Sequence, residues 1–160
     1  MIQRIQTIFL VLVIACMGAF LYLPIWGKMD TETGEVHQLK AFYHEVIIAE
    51  ESVSAYEYMP YLATGILASI IILISLVELF KYKNRVLQMK LGMLNSLLIV
   101  GVLGLMMWFI FSGQKEWLPA IAGKFGAGLF MPAVAMLLNR MAIRSIKKDE
   151  DLVRSVDRIR

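Results

Sequence analysis

Cysteine is almost missing: Cys16 stands alone among 160 residues, which excludes an internal disulfide, a CxxC redox pair and a thiolate zinc centre, each of which needs at least two. Histidine is scarce as well. His37 and His44 are the only two, and both fall outside the long apolar blocks, so those blocks cannot supply an axial imidazole to an intramembrane haem. Charge is also thin, 18% of residues against 59% hydrophobic, with a mean hydropathy of +0.67, and that balance excludes an ordinary water-soluble domain. There is no P-loop, nucleophile elbow, HExxH or GxGxxG element, no internal repeat and no low-complexity run, which argues against the familiar soluble catalytic classes. The net charge of +3 does not point to nucleic acid, because the cations flank apolar blocks rather than forming a free basic patch.

What is present is a set of four such blocks, at about residues 8–26, 61–80, 91–111 and 123–142, each close to the roughly 20 residues a helix needs to cross a bilayer. None alternates like a transmembrane barrel strand, so the expectation is an all-α integral membrane protein, one four-transmembrane-helix bundle spanning residues 1–160. Val13-Ile14-Ala15-Cys16 resembles a loose lipobox, but the apolar run continues through Leu23, so the first block reads as a span and not as a cleaved signal.

Lys and Arg are unevenly distributed. Arg4 precedes the first block, Lys81, Lys83, Arg85 and Lys90 follow the second, and Arg140, Arg144, Lys147, Lys148, Arg154, Arg158 and Arg160 follow the fourth. The positive-inside rule then predicts both termini in the cytoplasm. The loop of about residues 27–59 carries seven acids against Lys28 and Lys40 and lies outside. Trp26, Trp108 and Trp117 fall near the outer interface in this topology. Thr31-Glu32-Thr33-Gly34 reads as a turn, and the alternation after it predicts a short β-hairpin, with an amphipathic helix through Leu39, Phe42, Val46 and Ala49 as the competing reading.

Few residues in the spans carry chemistry. Glu78 is an intramembrane acid and hence a candidate proton or ion site, although Lys81 at i+3 and a nearby interface offer it a simpler pairing. Asn95 suits interhelical hydrogen bonding. Lys124 is expected to open the fourth helix and to reach water or an anionic group. Gly92, Ser96, Gly101, Gly104, Gly123, Gly126 and Gly128 offer small-residue helix contacts, and Pro132 is expected to kink the fourth helix. The Met-rich stretches read as packing and not as a soft-metal path, and two loop histidines read as solvated and not as a zinc site. No cofactor, metal or catalytic residue is expected.

The connection between the second and third spans and the tail of about residues 143–160 hold the densest polar information. Lys83, Asn84, Arg85 and Gln88 in the first, and Arg154, Asp157 and Arg158 in the second, are candidate contacts to a partner or to anionic lipid headgroups. The tail has Leu152, Val153, Val156 and Ile159 on one helical stripe, with Glu150 and Arg154 spaced i,i+4. Acids interleave with its bases, which favours a protein contact over a lipid surface.

The opening MIQRIQTIFL, the YKNRVLQMKL connection and the ending RMAIRSIKKDEDLVRSVDRIR resemble a family of small bacterial four-helix inner-membrane proteins known only as a domain of unknown function. That resemblance implies the same topology and brings no activity, cofactor or site residue. The function expected from the residues is a non-enzymatic accessory or scaffold subunit, which binds a larger inner-membrane protein through its cytoplasmic loop and tail. The alternative is a transporter or enzyme for a small molecule or lipid, with a site between the third and fourth helices near Asn95, Gly126 and Pro132.

Overall fold

Apolar side chains in this chain cover every face of the long helices, so hydrophobicity alone does not say which face is inside. The computed structural model, which describes residues 3–30, 34–48, 53–82, 84–117 and 122–157, resolves that ambiguity. Four helices, α1 (Gln3–Tyr22), α2 (Leu62–Phe80), α3 (Arg85–Glu116) and α4 (Met131–Asp157), are each long and apolar enough to span a membrane. α1 packs on α2 and α4, and α3 packs on α2 and α4, so successive helices run up and down around a closed ring.

Each helix contributes one narrow seam to the interior. The buried positions of this seam are Gln6, Leu10, Val13, Met17 and Phe20 of α1, then Thr64, Ala68, Ile71, Ser75 and Glu78 of α2, with Gly65 of α2 and Ile110 and Gly113 of α3 buried beside it near the sheet. α3 gives Gln88, Gly92, Asn95, Ile99, Val102, Met106 and Phe109, and α4 gives Ala135, Asn139, Ala142, Ile146 and Asp149. These spacings alternate between three and four, the repeat that keeps one stripe facing the partner helices. Leu73, Met93, Leu97, Phe111 and Leu137 point outward and are exposed.

One end of the ring is covered by an antiparallel sheet. Strands β1 (Trp26–Met29), β2 (Glu35–Leu39), β3 (His44–Ile48), β4 (Val53–Glu57) and β5 (Lys124–Phe125) stand in the order β4-β3-β2-β1-β5. The β1–β2 turn uses Gly34 at φ 71°, a left-handed conformation open to glycine. The expected hairpin is therefore one part of a meander, and the competing helix does not form.

The fourth helix begins later than its apolar run. Lys124 and Phe125 pair with Gly27 and Trp26 at the edge of β1, after which Gly126 and Gly128 donate to Ile25 O and Pro24 O, each at 2.9 Å. A Cβ on Gly126 would sit 2.1 Å from Pro24 O, so glycine permits this approach. A short 3-10 turn, Ala127–Phe130, then leads into α4. Lys124 thus lies in a strand, and Gly123, Gly126 and Gly128 serve the sheet rather than a helix pair. Pro132 falls in the first turn of α4, where its missing N–H costs nothing and no kink is needed.

α4 runs unbroken into the tail, so span and amphipathic tail are one helix. Gly92 does mediate a helix contact, since Ile143 of α4 fills the space its side chain would take. Gly101 and Gly104 face open space instead. Phe42, in the turn between β2 and β3, lies across Gly65 of α2, with ring atoms 2.2 Å from where a Cβ would stand. Gly65→Ala should therefore displace the Phe42 ring and lower stability by roughly 1–3 kcal/mol, measured by thermal unfolding of the detergent-solubilised protein against wild type.

Candidate functional site

Polar seam residues gather in the half of the ring away from the sheet. Glu78 and Asn95 are fully buried there. Asn95 Nδ2 donates to Ser75 Oγ at 2.9 Å and to Glu78 Oε1 at 3.2 Å, tying α3 to α2. Gln88 Nε2 donates to Glu78 O at 2.8 Å, which adds a second tie between the same helices. Asn139 of α4 donates to Gly92 O at 2.8 Å and to Ser96 Oγ at 2.9 Å. An ideal Cβ on Gly92 would be 3.7 Å from Glu78 Oε2, so Gly92 stands at the middle of this group.

Two sequence expectations change here. Glu78 does not reach out to the interface or pair with Lys81; its carboxyl faces the seam and meets Asn95. Gln88, expected at the surface, is buried. Asn95 does act between helices as expected. The signal that sequence reading missed is positional: Ser75, Glu78, Gln88, Asn95 and Asn139 all sit in register with the three-four repeat.

The end of the ring opposite the sheet is rich in cations and is partly consumed by the fold. Gln6 of α1 donates to Asp149 Oδ2 of α4. Arg85 reaches the same stretch of α4, with Nη1 3.4 Å from Asp149 O and 3.8 Å from Glu150 Oε2. Asn84 caps α3, its side-chain oxygen accepting from Leu87 N at 3.0 Å, one of the four donors that a helix start leaves unmet. Arg154 and Asp157 lie in the last turns of α4, where their side chains are not described, and Lys83 and Arg158 lie outside the described residues.

The sheet end holds an aromatic stack between the strands and the helices. His44 lies flat on Trp117, with ring centroids 3.6 Å apart and planes within 4°. His37 lies beside His44 at the edge of the stack, with Nδ1 3.2 Å from His44 Nε2 and its ring centroid 6.0 Å from that of Trp117. Neither histidine is solvated as expected. Burial pushes His44 down to about 4, with His37 acting in the same direction, and burial also lowers His37. Among the described residues no group of three His, Cys, Asp or Glu side chains can hold a metal ion.

Trp26 and Trp117 also belong to this stack rather than to an exposed belt, while Trp108 remains exposed. Lys28 is buried, its ammonium donating to Gln114 O at 3.1 Å and Trp117 O at 2.6 Å. These carbonyls close the C-terminal end of α3, where the helix dipole favours a cation. Burial lowers the Lys28 pKa.

The expected small-molecule site near Asn95, Gly126 and Pro132 does not come together. Gly126 is at the sheet and Pro132 is seven residues above Asn139 on α4, about 10 Å along the axis, whereas Asn95 is level with Asn139. Two surface depressions stand out among the described residues. One of about 420 Å³ lies beside β1 and is lined by Trp26, Lys28, Gln38 and Lys124 among others. The other, of about 430 Å³, follows α4 along Arg144, Lys147, Lys148, Asp151, Leu152 and Ser155.

Residues 2–159 match the family described as a domain of unknown function, DUF4293. The chain belongs to the DUF4293 family. The match covers all four helices and the sheet, so the Glu78 centre and the His37–His44 stack both lie within the DUF4293 region. No curated protein matches the chain.

Two outcomes follow from this geometry. Asn95→Leu should lower stability by roughly 1–2 kcal/mol, because it strips hydrogen bonds from Ser75 and Glu78; thermal unfolding beside Ser75→Ala reads the difference. His44 titrates lower when folded than its ordinary 6.5, so the unfolded chain takes up the proton first. Its contribution is complete above about 6.5 and is lost as pH falls towards about 4. Unfolding temperature should decline between pH 7 and pH 5, and His44→Phe, which keeps the stack but cannot titrate, should flatten that decline.

Proposed function

We propose that the protein is a multi-pass membrane protein of the bacterial inner membrane and a non-enzymatic accessory subunit of a larger membrane protein, which it holds through the basic end of α4. Four apolar helices with exposed Leu, Met and Phe on their outer faces suit a four-helix bundle in lipid. The concentration of Lys and Arg at the end opposite the sheet supports cytoplasmic termini and an outer sheet.

The observation that carries the reading is the exposed stretch of α4 beyond Glu150 among the described residues. Beyond Glu150 the helix runs past the ring, and Asp151, Leu152, Val153 and Ser155 are all exposed. Leu152 and Val153 stand beside an exposed cationic band of Arg144, Lys147 and Lys148. That chemistry fits a protein partner with an acidic rim around an apolar contact, by charge complementarity. Arg85, Asn84 and Gln88 are engaged within the fold, so the contact falls to α4. A second reading, in which a small ligand binds between the helices, draws on the Glu78 centre and not on Gly126 or Pro132.

Extraction of the tagged protein from its native membrane into nanodiscs, with mass spectrometry of what co-purifies, tests the assignment. Wild type should retain a stoichiometric protein partner, and the double variant Lys147→Glu with Lys148→Glu should lose it by about tenfold or more. Its unfolding temperature should not move, because both side chains are exposed. A partner held at the wild-type level by the variant, or enrichment of anionic lipid alone, would overturn the subunit reading.

A further inference from the structure

The two outer strands of the sheet end differently. The edge of β1 is closed by Lys124-Phe125, drawn in from a distant part of the chain as β5. The edge of β4 is open: β4 is the last strand of the order β4-β3-β2-β1-β5, and among the described residues no strand pairs with its far side. An open edge presents a row of backbone N–H and C=O groups to any extended segment, and proteins that avoid such pairing place Lys, Pro or a bulge there. β4 has none of these. Its sequence is Val53-Ser54-Ala55-Tyr56-Glu57, and it pairs with β3 residue for residue, from Val53 against Ile48 to Glu57 against His44. Ser54, Ala55, Tyr56 and Glu57 are exposed.

This edge is complementary to a second copy of itself. Turned about a two-fold axis through Ala55, two β4 strands pair antiparallel along their whole length, with Ala55 opposite Ala55, Tyr56 opposite Ser54 and Glu57 opposite Val53. Like charges stay apart, because the two Glu57 residues stand at opposite ends of the pair. Tyr56, met edge-on by Tyr43 with ring centroids 5.3 Å apart, comes to lie beside the small Ser54 of the other copy. The axis also suits a bilayer. The sheet lies across the end of the ring: β1 reaches α3 through Lys28, the β2–β3 turn reaches α2 through Ala41 O and Thr64, and β1 and β5 adjoin α1 and the approach to α4. A two-fold axis normal to the sheet therefore runs along the helices, so both copies cross the bilayer in the same direction and at the same depth. A second copy carries its own edge at that height, whereas any other chain must supply an extended segment there.

We propose that β4 is a self-association edge, through which two copies of the chain join their sheets into one continuous antiparallel sheet about a two-fold axis at Ala55. The proposal rests on the reading that the helices cross a membrane, and it leaves the basic end of α4, at the other end of the ring, to its own partner.

Single cysteines test it in the native membrane, in the full chain with Cys16→Ser. Directly opposed residues of an antiparallel pair have Cβ atoms about 4.5–5.5 Å apart, near enough for a disulfide once the strands adjust slightly. The two copies of residue 57 stand four residues apart along the strands, about 14 Å. Oxidation should therefore join Ala55→Cys chains to one another at least tenfold more than Glu57→Cys chains. In nanodiscs the wild type should run as two chains per particle, and Ala55→Lys, which sets like charges face to face on the axis, should run as one. Ala55 is exposed, so these substitutions leave the core intact. Alkaline extraction of the membranes reads insertion separately: protein that stays with the membrane yet does not crosslink at Ala55→Cys overturns the edge alone. Equal crosslinking at the two positions, a wild type that runs as a single chain, or an Ala55→Cys chain joined only to a different polypeptide would overturn it as well.

Discussion

Polar side chains placed in a seam that water does not reach must find their partners in one another, and much of this structure follows from that constraint. Asn95 can meet Glu78 and Ser75 only if α2 and α3 stand side by side in one register. Asn139 can meet Gly92 only if Ile143 slides into the space that Gly92 leaves. A shift of either helix by one turn would strand several acceptors at once, at about 1–3 kcal/mol each. Apolar packing alone would tolerate such a slide far better, because Leu, Ile and Val on all faces make one register much like another. The polar centre therefore fixes the ring, and the apolar seam towards the sheet fills in behind it.

The sheet is joined to the ring by contacts of a different kind. Lys28 caps the end of α3, Thr64 of α2 donates to Ala41 O, and the His37, His44 and Trp117 rings stack between the two layers. Each connects a strand, or the loop beside it, to a helix terminus, where backbone groups lack intrahelical partners. The short β5 strand completes the arrangement by drawing the chain before α4 to the edge of β1. The sheet is thus part of the helical unit and not an appended loop, and the acidic segment that forms it is held at both its ends and its middle.

Much of the architecture is legible in the sequence. The four apolar blocks give four helices, Asn84 marks the start of α3, and the turn at Gly34 with the alternation after it gives β-structure. Glu78 and Asn95 stand out as the polar residues of the spans. The rest is hidden for a physical reason. In helices that are apolar all round, hydrophobic periodicity carries no information about which side is inside, so the seam shows only in the spacing of polar and small residues. Nothing local in Lys124-Phe125-Gly126 distinguishes a strand from the first turn of a helix, and only the free edge of β1 makes that choice. Glu78 is similar: three residues from Lys81, it has a local partner on paper, but its position on the seam turns it inward.

The sequence by itself determined that the chain carries four helices apolar enough to cross a membrane, their approximate extent, and the asymmetry of charge between its two ends, because these depend on composition summed over a bilayer-length window. Tertiary structure alone decided which side chains share a site. Burial of His44 against Trp117, the turn of Glu78 towards Asn95, and the engagement of Arg85 with α4 each join residues far apart in the chain. Such pairings depend on the register between packed elements, and no local pattern encodes that register.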